Sequence, residues 1–319
     1  MELDKEDDWM EKKIIYQLDS LYRDTFRVTG FEFGEGKKSA CIVGNTRGNE
    51  YQQIYTCAKL VQKLKQLEDE GKIRKGHKIL VIPSANPYST NVQKRFWPTD
   101  NTDINRMFPG YDLGETTQRI AAGVFEEIKD YEFGMQFSSY YMPGKFIPHV
   151  RMMQTGFEEP ELAKDFGFPY VMVRKVRPYD TGTLNYNWQI WETKAFSIYT
   201  GTTREIDEAG AKEAIKGILR FLAKQGIVDY KKSGGFQSTV LTDVDLKSAR
   251  THAAGIFECV APVGTRVEKG QLIARVLDPL DAKVKEELVA PVAGLVFFAH
   301  NDPLTYADTA VIKIIVEEE

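Results

Sequence analysis

Three polar segments in the first half of the chain combine residue types that bind or transform small anions. "GNTRGNE" spans residues 44–50, "RFWPTDNTDINRMFPG" spans 95–110 and "GMQFSSYYMPGKFIPHVR" spans 134–151. All three lie near the ends of predicted β-strands, where open α/β sheets place their ligand sites. The pattern therefore predicts a site built from strand-end loops that are distant from one another in the chain.

The hydrogen-bond donors of these segments indicate what such a site would bind. Asn105 and Arg106 are adjacent, and Arg95 and Arg47 lie in the neighbouring segments. Planar guanidinium groups bind carboxylates through two parallel hydrogen bonds. We expect Asn105 and Arg106 to face a pocket that Arg95 or Arg47 also reaches, and to bind an anion there. Arg47 also stands three residues before Glu50, close enough to pair with it.

The segments that must position these residues alternate between two hydrophobic patterns. Strands are predicted for short apolar, β-branched runs and helices for longer runs with charged ends and apolar residues at helical spacing. The predicted strands cover residues 39–45, 77–87, 169–176 and 195–201, and the predicted helices cover 50–72, 116–131 and 208–227. Strands that alternate with helices predict a mostly parallel or mixed sheet covered on both faces.

The N-terminal stretch, about residues 4–24, alternates charged residues with Trp9, Ile14, Leu18 and Leu21 near helical spacing. We interpret it as an amphipathic helix that lies against the main domain or against a partner subunit.

The composition changes after "KKSGG", residues 231–235, which has the content of a linker. Beyond it the chain shows short β-rich runs separated by Gly and Pro. Residues 253–273 and 290–314 share an order of strand, turn and strand, which predicts a small sandwich of two interlocked halves. We therefore predict an α/β domain over residues 1–230 and an all-β domain over 236–319.

The overall composition narrows the class of protein. The 319 residues carry a net charge of -4, with 42% hydrophobic residues and no apolar run of membrane-spanning length. This balance argues against nucleic-acid and membrane partners. The N-terminus lacks the apolar region of a signal peptide, and the three cysteines, Cys41, Cys57 and Cys259, fit a reducing compartment. We expect a soluble cytoplasmic protein.

Two of the motifs are similar to those of a known family. "DINRMFPG", residues 103–110, resembles the Asp-Leu-Asn-Arg-x-Phe-Pro-Gly segment of the succinylglutamate desuccinylase/aspartoacylase family, and "RGNEY", residues 47–51, resembles its His-Gly-Asn-Glu-Tyr. The resemblance implies a zinc carboxypeptidase-like mixed sheet with flanking helices, followed by a small all-β, barrel-sandwich-like domain. It also implies a zinc-dependent deacylase that cleaves amide bonds of N-acyl amino acids or similar small carboxylates.

The resemblance assigns roles to individual positions. Glu50 matches the metal-ligand Glu, Asn105 and Arg106 match a clamp for the substrate carboxylate, and Arg95 matches the Arg that stabilises the oxyanion.

The remaining chemical positions depart from the family pattern. Arg47 and Gln136 stand where the two His ligands belong, and Tyr199 stands where the catalytic Glu belongs. An arginine offers no lone pair, a Gln offers a weak neutral oxygen, and a phenol is a poor base near neutral pH. We therefore expect no cofactor, or zinc only if the family site is retained in an altered form.

Alternative interpretations remain for several of these residues. Glu50 could simply begin a helix, where the dipole favours a carboxylate. His149 is either a hydrogen-bonded structural residue or, with Glu205 or an Asp of "PTDNTD", part of a different ligand set. Glu205 could also replace the lost base, or it is a solvated residue before the last helix. Tyr140, Tyr141 and Met142 are expected to line a pocket wall.

Three functions remain open on the sequence alone. The first is a divergent hydrolase of amide bonds in small carboxylates, with catalysis lost or altered. The second is a non-catalytic protein that binds a small carboxylate ligand. The third is a protein whose β-domain and N-terminal helix build a homo-oligomer.

Overall fold

The computed structural model describes residues 12–20, 24–231 and 234–317. The helices are α1 Tyr51–Asp69, α2 Pro87–Asn91, α3 Thr116–Ile128, α4 Pro160–Ala163, α5 Leu184–Ile190 and α6 Glu208–Lys224. The strands of the first two thirds are β1 Lys12–Leu18, β2 Phe26–Phe33, β3 Gly36–Asn45, β4 Gly76–Ser84, β5 Phe133–Phe137, β6 Gly144–Phe146, β7 His149–Gln154, β8 Tyr170–Lys175 and β9 Lys194–Tyr199. The remaining strands are β10 Thr239–Leu241, β11 Leu246–Arg250, β12 Gly255–Cys259, β13 Arg266–Val267, β14 Leu272–Leu277, β15 Val284–Val289, β16 Gly294–His300, β17 Leu304–Thr305 and β18 Ala310–Val316.

A nine-stranded mixed sheet in the order β1-β2-β4-β3-β5-β9-β7-β8-β10 forms the larger part of the molecule. Its central strands β4, β3, β5 and β9 run parallel. Successive residues of β3 point to opposite faces, so Ile42 packs in the core beneath α1 and α6 while Cys41 packs in the core beneath α3 and α5. The predicted α/β sheet covered on both faces is confirmed.

The interpretation of the N-terminal stretch as a helix is wrong for the part that the structure describes. Residues 12–18 form β1, which pairs antiparallel with β2, with Ile15 buried and Ile14 about half exposed. Trp9 and Leu21, on which the helical spacing depended, lie outside the described residues. Without them the remaining pattern alternates with period two, which suits a strand at the edge of the sheet.

The C-terminal strands form two antiparallel sheets, one ordered β11-β18-β16-β13 and the other β15-β14-β12-β17. Strand β13 of the first repeated half pairs with β16 of the second, and β17 of the second half pairs with β12 of the first. The predicted sandwich of two interlocked halves is confirmed, because each half completes the sheet of the other.

Two strands pair with a sheet in the other part of the molecule. β10 extends the large sheet by pairing parallel with β8, and β6 pairs antiparallel with β16 of the β-sandwich. Aromatic residues from both parts share one hydrophobic cluster, among them Phe146, Tyr199 and Phe297. The division into domains at residues 230 and 236 stays a prediction. The paired strands and the shared aromatic cluster form a closely packed junction between the two parts of the molecule. This junction forms one side of a cavity.

Among the described residues, no helix combines the length and apolar character needed to cross a bilayer. The cytoplasmic location and the homo-oligomeric assembly stay predictions.

Candidate functional site

The loop between β3 and α1 holds Glu50 at the first boundary of the helix. Glu50 occupies the N-cap position, but its side chain makes no capping bond to α1. Its carboxylate turns back instead and accepts hydrogen bonds from the backbone amides of Thr46 and Arg47, both at 3.2 Å, and from the Ser139 hydroxyl at 2.5 Å. The residue is fully buried. Its carboxylate is therefore directed into the interior behind the strand ends rather than along the helix.

Arg47 lies between two carboxylates. Its Nη1 donates to Glu50 Oε1 at 3.2 Å, while Nε and Nη2 donate to Asp103 Oδ2 at 3.0 and 2.9 Å. Burial would lower the pKa of Arg47, but the charges of Asp103 and Glu50 outweigh burial and raise it. We call Arg47, Glu50 and Asp103 the Arg47 cluster. The pairing of Arg47 with Glu50 that their spacing predicts is present, and Asp103 completes it.

Asn105 is held by its neighbours. Gln136 on β5 donates to Asn105 Oδ1 at 2.9 Å, and the backbone amide of Leu184 donates to the same oxygen at 3.3 Å. Asp103 accepts from the Asn105 backbone amide at 3.0 Å. Gln136 thus orients the clamp residue and turns its amide nitrogen toward Asn105.

Arg106 reaches toward a different set of groups. Its guanidinium donates to the backbone carbonyl of Tyr179 and stacks over that ring at 5.1 Å. Two carboxylates lie farther away, Asp180 at 3.6 Å and Asp103 at 3.9 Å. Arg106 keeps 28% of its side chain exposed, so its remaining N–H groups are accessible to a ligand.

The structure brings five of the predicted site residues to one cavity of about 580 Å³, and they are Arg47, Asn105, Arg106, Gln136 and Tyr199. Tyr140, Tyr141 and Met142 line the same cavity. Asn105, Arg106 and Arg47 thus line one cavity, and the anion-binding roles predicted for them stay predictions.

Arg95 and Glu205 line a second, smaller cavity of about 110 Å³. Burial and the charge of Arg47 lower the pKa of Arg95 to about 10. Glu205 is largely exposed and pairs with Lys145 at 3.1 Å, which favours the solvated alternative for this residue. Tyr141 lines the larger cavity while contacting the Arg95 guanidinium at 5.7 Å, so the two cavities are neighbours.

Tyr199 ends β9 in aromatic surroundings. Its ring stacks on His149 at 4.4 Å, and the Arg151 guanidinium lies 4.5 Å from its ring centre. Its buried hydroxyl has no hydrogen-bond partner among the described residues. His149 Nδ1 lies 2.8 Å from the Ile147 carbonyl, to which it must donate, and burial lowers the pKa of His149 to about 3. His149 is thus a neutral, stacked residue of the kind that the structural alternative describes.

The zinc ion that the resemblance implies does not fit these side chains. Both oxygens of Glu50 already accept from N–H or O–H donors, and Arg47 places a fixed positive charge beside them. Gln136 directs its amide nitrogen at Asn105 rather than offering its oxygen there. In residues 12–20, 24–231 and 234–317, no three His, Cys, Asp or Glu side chains are grouped as metal ligands.

Several residues in or beside the cavity have roles that the sequence does not show. Ser139 lines the cavity and Asp103 pairs with Arg47; both lie within the quoted motifs, but the sequence does not show which carboxylate or guanidinium each meets. Arg151, Arg174 and Lys313 also line the cavity. The only signal for Arg174 was the cluster of basic residues in "VRKVR", and Lys313 had none.

Comparisons with known proteins agree with this fold and with these motifs. Residues 36–224 match the succinylglutamate desuccinylase/aspartoacylase catalytic domain. The N-alpha-acetyl-L-2,4-diaminobutyric acid deacetylase of Halomonas elongata is 25% identical over an alignment of 264 residues, and the match covers 79% of this chain and 73% of that protein.

Two solved structures share the fold over nearly the whole chain. One is a succinylglutamate desuccinylase from a Silicibacter species, with a TM-score of 0.82 and 19% identity over 100% of this chain and 97% of that one. The other is the product-bound ectoine utilization protein EutE (DoeB) from Ruegeria pomeroyi, with a TM-score of 0.79 and 21% identity over 97% and 94% of the two chains. Since the catalytic-domain match takes in more than half of the sequence, the chain belongs to the succinylglutamate desuccinylase/aspartoacylase family.

Proposed function

We propose that this protein binds a small carboxylate ligand in the 580 Å³ cavity and that hydrolysis by the zinc-dependent route of its relatives is lost. The observation that carries the proposal is the position of the Arg47 guanidinium. It pairs with Glu50, the residue that matches the metal-ligand Glu, at 3.2 Å. An internal cation therefore supplies the positive charge that a metal would supply, and it does so without an open coordination position.

The replacement changes the available chemistry. A bound zinc lowers the pKa of its water and polarises a carbonyl group. A guanidinium donates hydrogen bonds and attracts anions, but it neither ionises a water molecule in this way nor accepts a proton. Tyr199 stands at the position of the catalytic Glu, with its ring against His149 and Arg151 and its hydroxyl buried. The site thus keeps features for attracting an anion and lacks the groups for activating water.

The carboxylate clamp is the feature that is retained. Arg106 and Asn105 line the cavity, and Arg106 is shared between carboxylates at 3.6 and 3.9 Å rather than tightly paired with one. A ligand carboxylate that bonds to Arg106 forms charge-assisted hydrogen bonds, which contribute about 1.5–3 kcal/mol each. We assign the ligand carboxylate to this position.

A second candidate function is a deacylase that works with altered chemistry. The relationship to the Halomonas deacetylase supports it, and so does the family itself. This candidate requires amine release from an N-acyl amino acid, whereas the binding function requires only saturable association. The two functions are therefore separable in one set of assays.

Calorimetry with butyrate, N-acetylglycine and N-acetyl-L-2,4-diaminobutyrate tests the proposal, with amine release measured in parallel in the presence of added zinc. We expect saturable binding of at least one of these carboxylates and no amine release. Arg106→Ala should weaken binding about tenfold or more. The matched control is Arg119→Ala, since Arg119 is exposed on α3 away from the cavity. Equal affinity for wild type and Arg106→Ala contradicts the clamp, and turnover that requires Glu50 supports the deacylase instead.

A further inference from the structure

We propose that the cavity contains a second anion subsite, formed by Arg151, Arg174 and Lys313, so that the ligand of this protein carries two anionic groups. We call these three residues the junction cations, because they meet where the C-terminal sandwich packs on the large sheet. The inference rests on the proposed function, since the first anion is the carboxylate assigned to Asn105 and Arg106. The second is a carboxylate or a phosphate-type group.

Arg151 has no carboxylate partner among the described residues. It lies on β7 and lines the cavity, with its guanidinium carbon 4.5 Å from the ring centre of Tyr199 and 5.9 Å from that of Tyr140. Among the described residues it forms no ion pair, and its Nε is buried without a hydrogen-bond partner. Aromatic rings stabilise a cation only partly, so the guanidinium retains N–H donors for an incoming anion.

Lys313 reaches the same part of the cavity from the β-sandwich. It lies on β18, and its Nζ is 5.2 Å from the ring centre of Tyr140, the ring that Arg151 also approaches. Within the described part of the chain, Lys313 forms no ion pair. Burial lowers the pKa of Lys313 to about 8, and the positive charges of Arg151, Arg174 and Arg177 contribute to the decrease. The charge of Asp243 opposes this decrease, but positive charges outnumber it around the ammonium group.

Arg174 connects this group to the first clamp. Its Nη2 pairs with Asp180 Oδ2 at 2.5 Å, while Asp180 Oδ1 lies 3.6 Å from Arg106 Nη1. One carboxylate therefore serves two guanidinium groups, one in each subsite. The Nε of Arg174 is buried and has no partner among the described residues.

The charge of the whole cavity wall favours two anions over one. Eight arginines and lysines line the cavity, against two aspartates. Glu50 and Asp103 are already paired with Arg47, so they do not compensate the junction cations. Unpaired buried charge is costly, and a single carboxylate at Arg106 would leave Arg151 and Lys313, which form no ion pair among the described residues, without an anion.

Two neutral side chains in the cavity wall also contain polar atoms without a hydrogen-bond partner among the described residues. Asn185 is buried and lines the cavity, and neither its side-chain oxygen nor its nitrogen has a hydrogen-bond partner among the described residues. The buried Tyr199 hydroxyl also has no hydrogen-bond partner among the described residues. Buried polar groups in native proteins are nearly always satisfied, so these atoms mark a wall shaped for a polar ligand.

The test compares monoanions and dianions of similar size. Butyrate, glutarate and 3-phosphonopropionate are titrated by calorimetry into the wild type, Lys313→Met and Arg151→Met. The control is Lys247→Met, which removes an exposed charge from the neighbouring strand β11. Lys313→Gln serves as a second variant if Lys313→Met folds poorly, and thermal unfolding checks each protein.

We expect the wild type and Lys247→Met to bind one of the two dianions about tenfold or more tightly than butyrate. Lys313→Met and Arg151→Met should remove this preference, because each should weaken dianion binding by a much larger factor than butyrate binding. The stronger of the two dianions identifies the second group as carboxylate or phosphate-type. If butyrate binds as tightly as both dianions, the second subsite is overturned and the proposed function stands. If none of the three anions binds, the proposed function fails, and the second subsite fails with it.

Discussion

The two groups of cations in the cavity differ in how their charge is compensated. In the Arg47 cluster, the guanidinium of Arg47 pairs with the carboxylates of Glu50 and Asp103 at 2.9–3.2 Å. In the junction cations, Arg151 and Lys313 face the rings of Tyr140 and Tyr199 instead. The Arg47 cluster contains its own carboxylates, whereas Arg151 and Lys313 form no ion pair among the described residues and only Arg174 pairs with a carboxylate, that of Asp180.

The difference follows from the cost of removing charge from water. A buried cation is tolerated when carboxylates or a ligand repay its desolvation. Arg47 meets this requirement internally, and it pairs with Glu50, the carboxylate that matches the family's metal ligand. Among the described residues, Arg151 and Lys313 have no carboxylate partner, and in our proposal a ligand supplies the anion.

The largest change should come from reversing the replacement of the two histidines. Arg47→His together with Gln136→His removes the guanidinium and restores two imidazole ligands beside Glu50. We expect the double variant to bind about one zinc per chain after dialysis, measured by elemental analysis, and to lose it when Glu50→Ala is added. Stoichiometric zinc in the wild type that is lost in Glu50→Ala would show that the Arg47 cluster does not replace the metal.

Removing the cation of the Arg47 cluster should strongly destabilise the fold. Arg47→Met leaves Glu50 and Asp103 buried without their partner, and breaking a buried ion pair in this way costs about 3–5 kcal/mol. The free energy of unfolding from urea titration measures the effect. Lys313→Met is the matched control and should be neutral or stabilising, because Lys313 has no described carboxylate partner to leave behind. A loss similar in both variants would mean that the two groups do not differ.

Acid should weaken the aromatic stack beside the junction cations. Burial and the charges of Arg151 and Lys313 lower the pKa of His149 to about 3, whereas an unfolded His titrates near about 6.5. The stability contributed by neutral His149 is therefore complete above the unfolded value and is lost as the pH falls toward 3. Unfolding measured from pH 7 to pH 4 should show this decline in the wild type and a shallower one in His149→Asn. Identical slopes in the two proteins would contradict it.

Alkaline pH should produce the smallest effect. The pKa of Lys313 is lowered to about 8 from 10.5, so its charged form disfavours the fold below pH 8. Stability should rise as the pH increases from 8 toward 10.5, and this rise should be reduced in Lys313→Met. A saturating dianion should abolish the rise, because it stabilises the charged ammonium. A rise of equal size in Lys313→Met would assign it to other groups.

Much of the fold was predictable because its signals are local. The strand at β3, the helices α1 and α6 and the interlocked repeats of the sandwich each show in their own hydrophobic pattern. The prediction of a helix in the N-terminal stretch is wrong for residues 12–18, because these residues form a strand that pairs with β2. The helical spacing there depended on only a few residues. An edge strand owes its conformation to its neighbour in the sheet, which a local pattern does not contain.

Part of the candidate site was likewise predictable from the sequence, and the rest depended on the tertiary structure. The sequence identified Arg47 and Gln136 as the residues at the positions where the resemblance expects His ligands, and the spacing of Arg47 and Glu50 already indicated that they pair. The second partner, Asp103, depended on how the loop after α2 folds against β3. Gln136 and Asn105 were both singled out, but only the packed structure shows that they bond to each other.

The junction cations were decided by tertiary structure alone. Arg151, Arg174 and Lys313 come from β7, β8 and β18, and each looks in the sequence like an ordinary basic residue of a strand. Backbone periodicity records which face of a strand is buried. It does not record which charges meet there, since Coulomb energies depend on distances through space and on burial. Those distances were set by the order of strands in the large sheet and by the packing of the sandwich against it.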